Sequence, residues 1–259
     1  MFYGRNRLFT GILRNFFGAL VLASAFLPAV HADEGFYYLQ PQAFSGIVPQ
    51  ASAPVAVKSG SAYLSASQLR IADFPAPPAA GSDQDKADLA TVLQWQKNRT
   101  DAQCAAAMAQ ADETFVSLFS SVNPFPAPLP APVDAFFKKI AGETSTAESY
   151  IKKVYQRPRP FVSSPEVNPC VGRPEGYSYP SGHAALSHLY ALILSDLKPR
   201  EGSIFMMAAD QDALNRVIGG AHNPSDVEAG KKLGGLLYQK LRAVPAFVTD
   251  EQALSQYLR

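Results

Sequence analysis

The sequence predicts an all-α protein, a single compact helical domain preceded by an irregular, proline-rich arm. Apolar residues recur at helical spacing over most of the chain after Ser82, alternating strand-like patterns are scarce, and prolines cluster within residues 33–82. Of the 259 residues, 47% are hydrophobic and 17% are charged. This composition is sufficient for a sizeable core and excludes a largely disordered chain.

Capping residues and apolar spacing predict the individual helices. Ser82 can cap a first helix, and Thr100 can start a second helix that runs on through Phe115 and Leu118. Further helical segments are predicted at residues 133–141, 145–155, 181–197, 208–218 and 224–242. The proline-rich stretches 123–132 and 156–179 predict connecting loops.

The start of the chain resembles a targeting segment. Three arginines precede an apolar stretch over residues 16–30, and small residues follow before Asp33. This order is typical of a secretory signal peptide over residues 1–32, cleaved after Ala32, and it predicts a periplasmic or secreted protein. The alternative is an uncleaved anchor, but the apolar run is short and contains Pro28. No later stretch approaches the length of a membrane span, so none is predicted in the mature chain.

Charge and cysteine content narrow the classes further. Without residues 1–32 the chain has 20 basic and 22 acidic residues, and this balance argues against a nucleic-acid partner. Two cysteines, Cys104 and Cys170, can form one disulfide in an oxidising compartment. Two separate buried thiols are the alternative, because a sequence does not show whether the sulfur atoms meet.

Residues 152–160 form the first of three segments that carry chemistry. They contain four cations, Lys152, Lys153, Arg157 and Arg159, where a predicted helix ends. Cations at a helix C-terminus are ordinary, because they offset the helix dipole. Taken alone, this segment therefore indicates no particular function.

The second segment leads from Tyr179 into a predicted apolar helix. Ser181 can cap that helix, Gly182 lets an anion approach the backbone closely, and His183 follows on the inward face. The unpaired N–H groups at such a helix start favour anion binding. The simpler alternative for Ser181 is a cap without a ligand.

The third segment is residues 215–226. Arg216 precedes a glycine turn with His222, and Asn223 caps a helix that carries Asp226 in its first turn. Asp226 can turn back towards the His222 imidazole and fix its tautomer. An incidental loop histidine beside an acidic first turn is the alternative. His222 and Asp226 lack a third ligand in this pattern, so no metal site is predicted.

Together the three segments resemble the signature of the type 2 phosphatidic acid phosphatase superfamily. The matching residues are Lys152, Arg159-Pro160, Pro180-Ser181-Gly182-His183, Arg216, His222 and Asp226. With the signal peptide, the chain resembles the class A bacterial non-specific acid phosphatases. The resemblance implies a vanadium haloperoxidase-like helical bundle, here an acid phosphatase domain over residues 83–259 with an extended arm over residues 33–82.

The resemblance also implies roles for the site residues. His222 attacks phosphorus and forms a phosphohistidine, Asp226 orients it, and His183 protonates the leaving oxygen and then activates water. The phosphate-binding residues are Lys152, Arg159, Ser181, Gly182 and Arg216. Small phosphomonoesters and inorganic phosphate are the expected ligands, without a metal or other cofactor. Phosphotransfer to alcohols and a homo-oligomer are also expected.

Two departures and two alternatives accompany this interpretation. Asn215 stands where the family usually has Ser, and Ala184 stands where close relatives often have Thr. A vanadium-dependent haloperoxidase would share the same anion site, and a catalytically silent oxyanion-binding protein is the non-enzymatic alternative. The surrounding cations predict lowered histidine pKa values, opposed at His222 by Asp226, and hence an acidic optimum.

Overall fold

The computed structural model describes residues 62–259, so the predicted signal peptide and most of the predicted arm lie outside the described residues. The described residues form ten α-helices. These are α1 (Ala66–Leu69), α2 (Asp83–Asn98), α3 (Asp101–Ala109), α4 (Phe115–Phe119), α5 (Ala131–Tyr155), α6 (Pro160–Ser163), α7 (Gly182–Leu197), α8 (Gly202–Ile218), α9 (Pro224–Arg242) and α10 (Pro245–Ala253). No strand occurs between residues 62 and 259, and the all-α prediction is confirmed.

Helix α7 is buried along most of its length and packs against both α8 and α9. The crossing with α9 is close because Gly230 and Gly234 face α7. A Cβ atom at Gly230 would overlap the carbonyl oxygen of Ser181, and one at Gly234 would overlap that of Ala185. Small residues here let the two backbones approach each other, which brings the first turn of α9 to the start of α7.

Buried aromatic side chains join α4, α5 and α7. Phe115 stacks on Phe137 with 4.0 Å between ring centroids, and Tyr190 meets Phe137 edge-on at 4.9 Å. The Tyr190 hydroxyl donates to the carbonyl oxygen of Phe137 at 2.9 Å, so its polar end is also satisfied. This cluster holds the N-terminal part of α5 against the central helix.

Residues 63–74, from the predicted arm, pack onto the helical domain. Leu64 and Phe74 are buried, and the backbone N–H groups of Tyr63 and Leu64 donate to the carboxylate of Glu143 on α5. Ser65 caps the single turn of α1. Residues 63–74 are therefore held in place by contacts with the domain that follows them.

Two predicted helix boundaries are wrong. The helix that starts after Thr100 ends at Ala109, and Thr114 caps a new helix by accepting from the N–H of Ser117 at 3.1 Å. The two segments predicted at 133–141 and 145–155 instead form the single helix α5. Gly142 does not interrupt it, because apolar residues on both sides bury the same face.

The C-terminal half also differs in detail. Helix α8 begins at Gly202 rather than at residue 208, since Phe205 is fully buried in the core. The short helix α6 lies inside the predicted loop, and α10 is a helix that the periodicity did not predict. Within residues 62–259, no helix combines the length and the apolar character needed to cross a membrane.

Cys104 on α3 forms a disulfide with Cys170, and their Cα atoms lie 5.7 Å apart. The bond decides between the two alternatives that the sequence left open. It joins α3 to the loop that follows α6, close to the cavity described below.

Candidate active site

A cavity of about 420 Å³ brings the three chemical segments together. Its lining includes five of the predicted site residues, namely Lys152, Arg159, His183, Arg216 and His222. They come from the last turn of α5, the N-cap of α6, the first turn of α7, the last turn of α8 and the α8–α9 connection. The N–H of Ser181 donates to the carbonyl oxygen of Asp226 at 2.9 Å and ties the start of α7 to α9.

The hydrogen-bond partners of His222 define the state of its ring. Nδ1 lies 2.8 Å from the carbonyl oxygen of Ser178, which can only accept, so Nδ1 carries the hydrogen. Nε2 lies 3.1 Å from Nη1 of Arg159, which can only donate. The arrangement fits a neutral imidazole whose Nε2 lone pair is available for attack.

Asp226 lies beside His222, as the sequence predicted, but makes no direct hydrogen bond to the ring. Its Oδ2 lies 3.9 Å from Nδ1, and the bond to that nitrogen is made by the Ser178 carbonyl. Asp226 is fully buried, and its carboxylate accepts from the N–H of Asn223 at 2.8 Å and from Arg157 at 2.7 Å. Asp226 completes the N-terminal cap of α9 and places a negative charge on the Nδ1 side of the His222 ring.

His183 has a different set of partners. Its Nδ1 lies 2.6 Å from Oε1 of Glu113, and its Nε2 lies 2.9 Å from the carbonyl oxygen of Gln110. The Glu113 carboxylate can only accept, so it favours a hydrogen on Nδ1, and the Gln110 carbonyl offers an acceptor to Nε2. Nη1 of Arg216 also approaches Nε2, at 3.1 Å. His183 therefore suits a proton donor, and His222 suits a nucleophile.

The two arginines of the cavity present free donors. Arg159 and Arg216 are 5% and 3% exposed, yet their Nε atoms have no hydrogen-bond partner among residues 62–259. Buried unpaired N–H groups are costly in a protein unless a ligand satisfies them. Together with Lys152 they make a cationic surface suited to an oxyanion.

Two carboxylates occupy the start of α7, where the sequence predicted an anion. A Cβ atom at Gly182 would overlap Oε2 of Glu148 and would lie 3.1 Å from Oε1 of Glu113. Lys152 pairs with Glu148 at 3.4 Å. Ser181 is fully buried and its hydroxyl accepts from the N–H of Ala184 at 3.4 Å, so in the structure it caps α7. Its contact with phosphate stays a prediction.

Burial and charge shift several pKa values in the site. Burial lowers the pKa of His222 to about 4, with Asp226 opposing the shift and Arg159 and Lys152 adding to it. The predicted lowering is thus confirmed for His222, although burial rather than the cations is its main cause. Burial alone would raise the pKa of Asp226, but His222, Arg157 and the Asn223 N–H together lower it below its ordinary value.

Three contributors escaped the sequence analysis. Glu113 lies in the turn that replaced a predicted continuous helix; the spacing of Thr114 and Ser117 was the available signal of a new cap. Ser178 acts through its carbonyl, which no side-chain pattern reveals. Arg157 was counted only as one of four cations in residues 152–160, and its contact with Asp226 was not predicted.

Asn215 also faces away from the expected phosphate position. Its Nδ2 donates to Oε1 of Gln110 at 2.5 Å, and its Oδ1 accepts from Gln211 at 2.9 Å. The Asn215 amide thus stabilises the turn that contains Gln110, whose carbonyl contacts His183. Within the described part of the chain, no group of three or more His, Cys, Asp or Glu residues is arranged to hold a metal ion.

Comparison with known proteins agrees with this geometry. Residues 139–246 match the profile of the PAP2 superfamily. The chain is 40% identical over 116 residues to a non-specific acid phosphatase of Salmonella typhi, 38% identical over 115 residues to that of Salmonella typhimurium, and 31% identical over 111 residues to that of Providencia stuartii. These alignments cover 41–42% of this chain and 44% of each relative. Residues 139–246 are therefore similar to the PAP2 superfamily, and the chain is similar over less than half of its length to bacterial non-specific acid phosphatases.

Proposed function

We propose that this chain is an exported, metal-independent acid phosphatase that hydrolyses small phosphomonoesters through a phosphohistidine on His222. The observation that carries the proposal is the contrast between two histidines in one cationic cavity. Nε2 of His222 faces the Arg159 donor, and its nearest carboxylate, Asp226, lies 3.9 Å from Nδ1. His183 instead has the Glu113 carboxylate 2.6 Å from Nδ1, and its Nε2 faces both the Gln110 carbonyl and Arg216. The similarity to proteins named non-specific acid phosphatases supports the same reaction class.

The first half of the proposed reaction forms the phosphoenzyme. Lys152, Arg159 and Arg216 hold the phosphoryl oxygens, together with Ser181 and the N–H of Gly182 at the start of α7. The Nε2 lone pair of His222 forms a bond to phosphorus while the bond from phosphorus to the ester oxygen breaks. His183 gives its proton to that oxygen, so the alcohol leaves neutral.

The second half releases phosphate. Neutral His183 takes a proton from water, whose oxygen attacks phosphorus as the P–N bond breaks and the electron pair returns to His222. The three cations stabilise the charge of the transferring group in both halves. An alcohol in place of water would give phosphotransfer by the same steps.

The pKa of His222 fits this reaction to acidic conditions. With a pKa of about 4, the ring stays neutral and nucleophilic across most of the acidic range. His183, held by Glu113 and the Gln110 carbonyl, supplies the proton. We expect an acidic optimum for p-nitrophenyl phosphate hydrolysis, and an optimum above pH 8 would contradict the proposal.

The decisive experiment compares His222→Ala with the parent protein, using ³²P-labelled substrate and an alkaline quench that preserves phosphohistidine. The variant should keep its circular dichroism spectrum, form no labelled enzyme and lose activity by about a thousandfold or more. His188→Ala is the matched control, because His188 lies on α7 five residues after His183 and outside the cavity lining. Labelled enzyme in His222→Ala would exclude His222 as the nucleophile.

A substrate panel defines the reaction class in the same preparation. Vanadate should inhibit competitively, since it resembles phosphate in shape, and EDTA should leave the activity unchanged. Bromide oxidation with added vanadate and peroxide tests the haloperoxidase alternative. Absence of phosphate release from every ester would favour a silent oxyanion-binding protein.

A further inference from the structure

Behind the candidate nucleophile lies a buried ion cluster that the sequence motifs did not predict. Nη1 of Arg157 donates to Oδ1 of Asp226 and to Oγ of Ser225, both at 2.7 Å. Its Nη2 donates to Asp85 at 2.8 Å and to Asp88 at 2.9 Å. Four short bonds orient one guanidinium, and the Asp88 and Asp226 carboxylates are 1% and 0% exposed.

Helix α2 supplies two members of this cluster. Asp88 also accepts from the N–H of Ser225 at 3.3 Å and from the Ser225 hydroxyl. Asp88 therefore contacts the first turn of α9 both directly and through Arg157. Asp85 and Asp88 lie outside residues 139–246, so this contribution comes from beyond the matched family domain.

The charges of the cluster are unbalanced. One guanidinium faces three carboxylates, which leaves a net negative charge on the Nδ1 side of His222. Arg159 approaches the ring from the Nε2 side, and Lys152 and Arg216 line the cavity with it. His222 thus lies between an anionic cluster and a cationic cavity.

This placement matters when the ring changes charge. Neutral His222 becomes a positively charged phosphoimidazolium when Nε2 bonds to phosphorus. Nδ1–H is then held by the Ser178 carbonyl, and the nearest carboxylate is Asp226 at 3.9 Å. Without Arg157, Asp226 would lack its fixed cation and would favour the protonated, neutral form.

We propose that Arg157 and Asp88 are positioning residues for the reaction at His222, which keep Asp226 ionised and fixed so that the cluster stabilises the phosphorylated ring. This inference rests on the proposed function. It assigns helix α2 a part in catalysis, through charge rather than through contact with the substrate.

The test uses Asp88→Asn, which removes one charge while keeping the size of the side chain and its capacity to hydrogen-bond. We expect kcat/KM for p-nitrophenyl phosphate to fall about tenfold, and the level of alkali-stable phosphoenzyme to fall with it. The acid limb of the plot of kcat/KM against pH should move to lower pH by about half a unit. The reason is that the protonated His222 ring loses a nearby negative charge that stabilises it. Arg157→Lys should retain part of the activity, and Arg157→Met should lose it.

The matched control is Asp83→Asn, on the same helix. Asp83 is fully exposed and pairs only loosely with Lys86, at 3.9 Å, so its removal should change none of these readouts. Asp85→Asn repeats the test at a half-buried position in case Asp88→Asn does not fold. If the folded variants merely lower Tm, while phosphoenzyme level and acid limb equal those of Asp83→Asn, the inference is wrong. This result can be told apart from a failure of the proposed function, because labelled enzyme in His222→Ala would overturn the proposed function itself.

Discussion

Gly182 shows how a single residue prepares a place for an anion. The absence of a side chain lets a carboxylate lie against the start of α7, where N–H groups and the helix dipole favour negative charge. In the structure this anion is the protein's own Glu148, paired with Lys152 at 3.4 Å. Its Oε2 has no hydrogen-bond partner within the described residues. In the proposed reaction, the Glu148 carboxylate competes with a phosphoryl oxygen for this position.

This leads to a prediction for Glu148→Gln. Removing the carboxylate frees Lys152 and relieves repulsion of phosphate, so competitive inhibition by inorganic phosphate should strengthen by roughly fivefold, or about 1 kcal/mol. Burial raises the pKa of Glu148, so the gain should be larger at pH 7 than at pH 4, where the parent carboxyl is more protonated. Inhibition constants at both pH values measure the effect.

Glu228→Gln is the matched control, because Glu228 is exposed on α9 and contacts only Lys231 at 3.2 Å. Weaker phosphate binding in Glu148→Gln would mean that the carboxylate supports the site rather than competing with the ligand.

At the scale of elements, the disulfide links two segments that both line the cavity. The turn after α3 carries Glu113, and the loop after Cys170 carries Val171 and Arg173. The Cys104–Cys170 bond, across 66 residues, links α3 to that loop. A covalent link outside the motifs thus connects two parts of the cavity lining.

We predict that the double variant Cys104→Ser/Cys170→Ser loses roughly 2–4 kcal/mol of stability, because its unfolded chain is less restricted. KM should rise more than kcat falls, since the walls loosen while the histidines keep their own partners. Thermal denaturation and steady-state kinetics, beside the parent under oxidising conditions, separate the two effects. An unchanged KM together with a lowered Tm would show that the disulfide serves stability alone.

At the scale of the whole molecule, folding stability depends on an unusual carboxyl group in α8. Asp212 is fully buried, and neither of its oxygens has a hydrogen-bond partner in the described part of the chain. Burial raises its pKa to about 6, with His183 and Arg216 opposing the shift. Between pH 4 and pH 6 the unfolded chain releases this proton while the folded protein retains it. The contribution of Asp212 to stability therefore declines as pH rises through that window.

Asp212→Asn should remove this dependence. The Tm of the variant minus the Tm of the parent should rise by roughly 4 °C between pH 4 and pH 7. Scanning calorimetry at the two pH values measures it, with the exposed Asp83→Asn as control. A difference in Tm that stays constant with pH would contradict the raised pKa.

The sequence alone determined the residues whose positions follow from local rules. Helix caps, first-turn acids and the spacing of cations and histidines depend on backbone geometry over a few residues. Lys152, Arg159, His183, Arg216 and His222 were assigned to one site because their spacing resembles a family signature, and they are found lining one cavity. The all-α fold was predicted from local rules, because helical periodicity is visible along the chain.

Only the tertiary structure decided the partners of those residues. Ser178 contributes a backbone carbonyl, and the position of Glu113 depends on where one helix ends. Arg157 is oriented by two carboxylates of α2 that lie 69 and 72 positions away in the sequence. Whether an arginine faces a ligand or an aspartate depends on which charges the packed helices bring within about 3 Å of it. That distance is set by the approach of α2, α7 and α9, which no local pattern encodes.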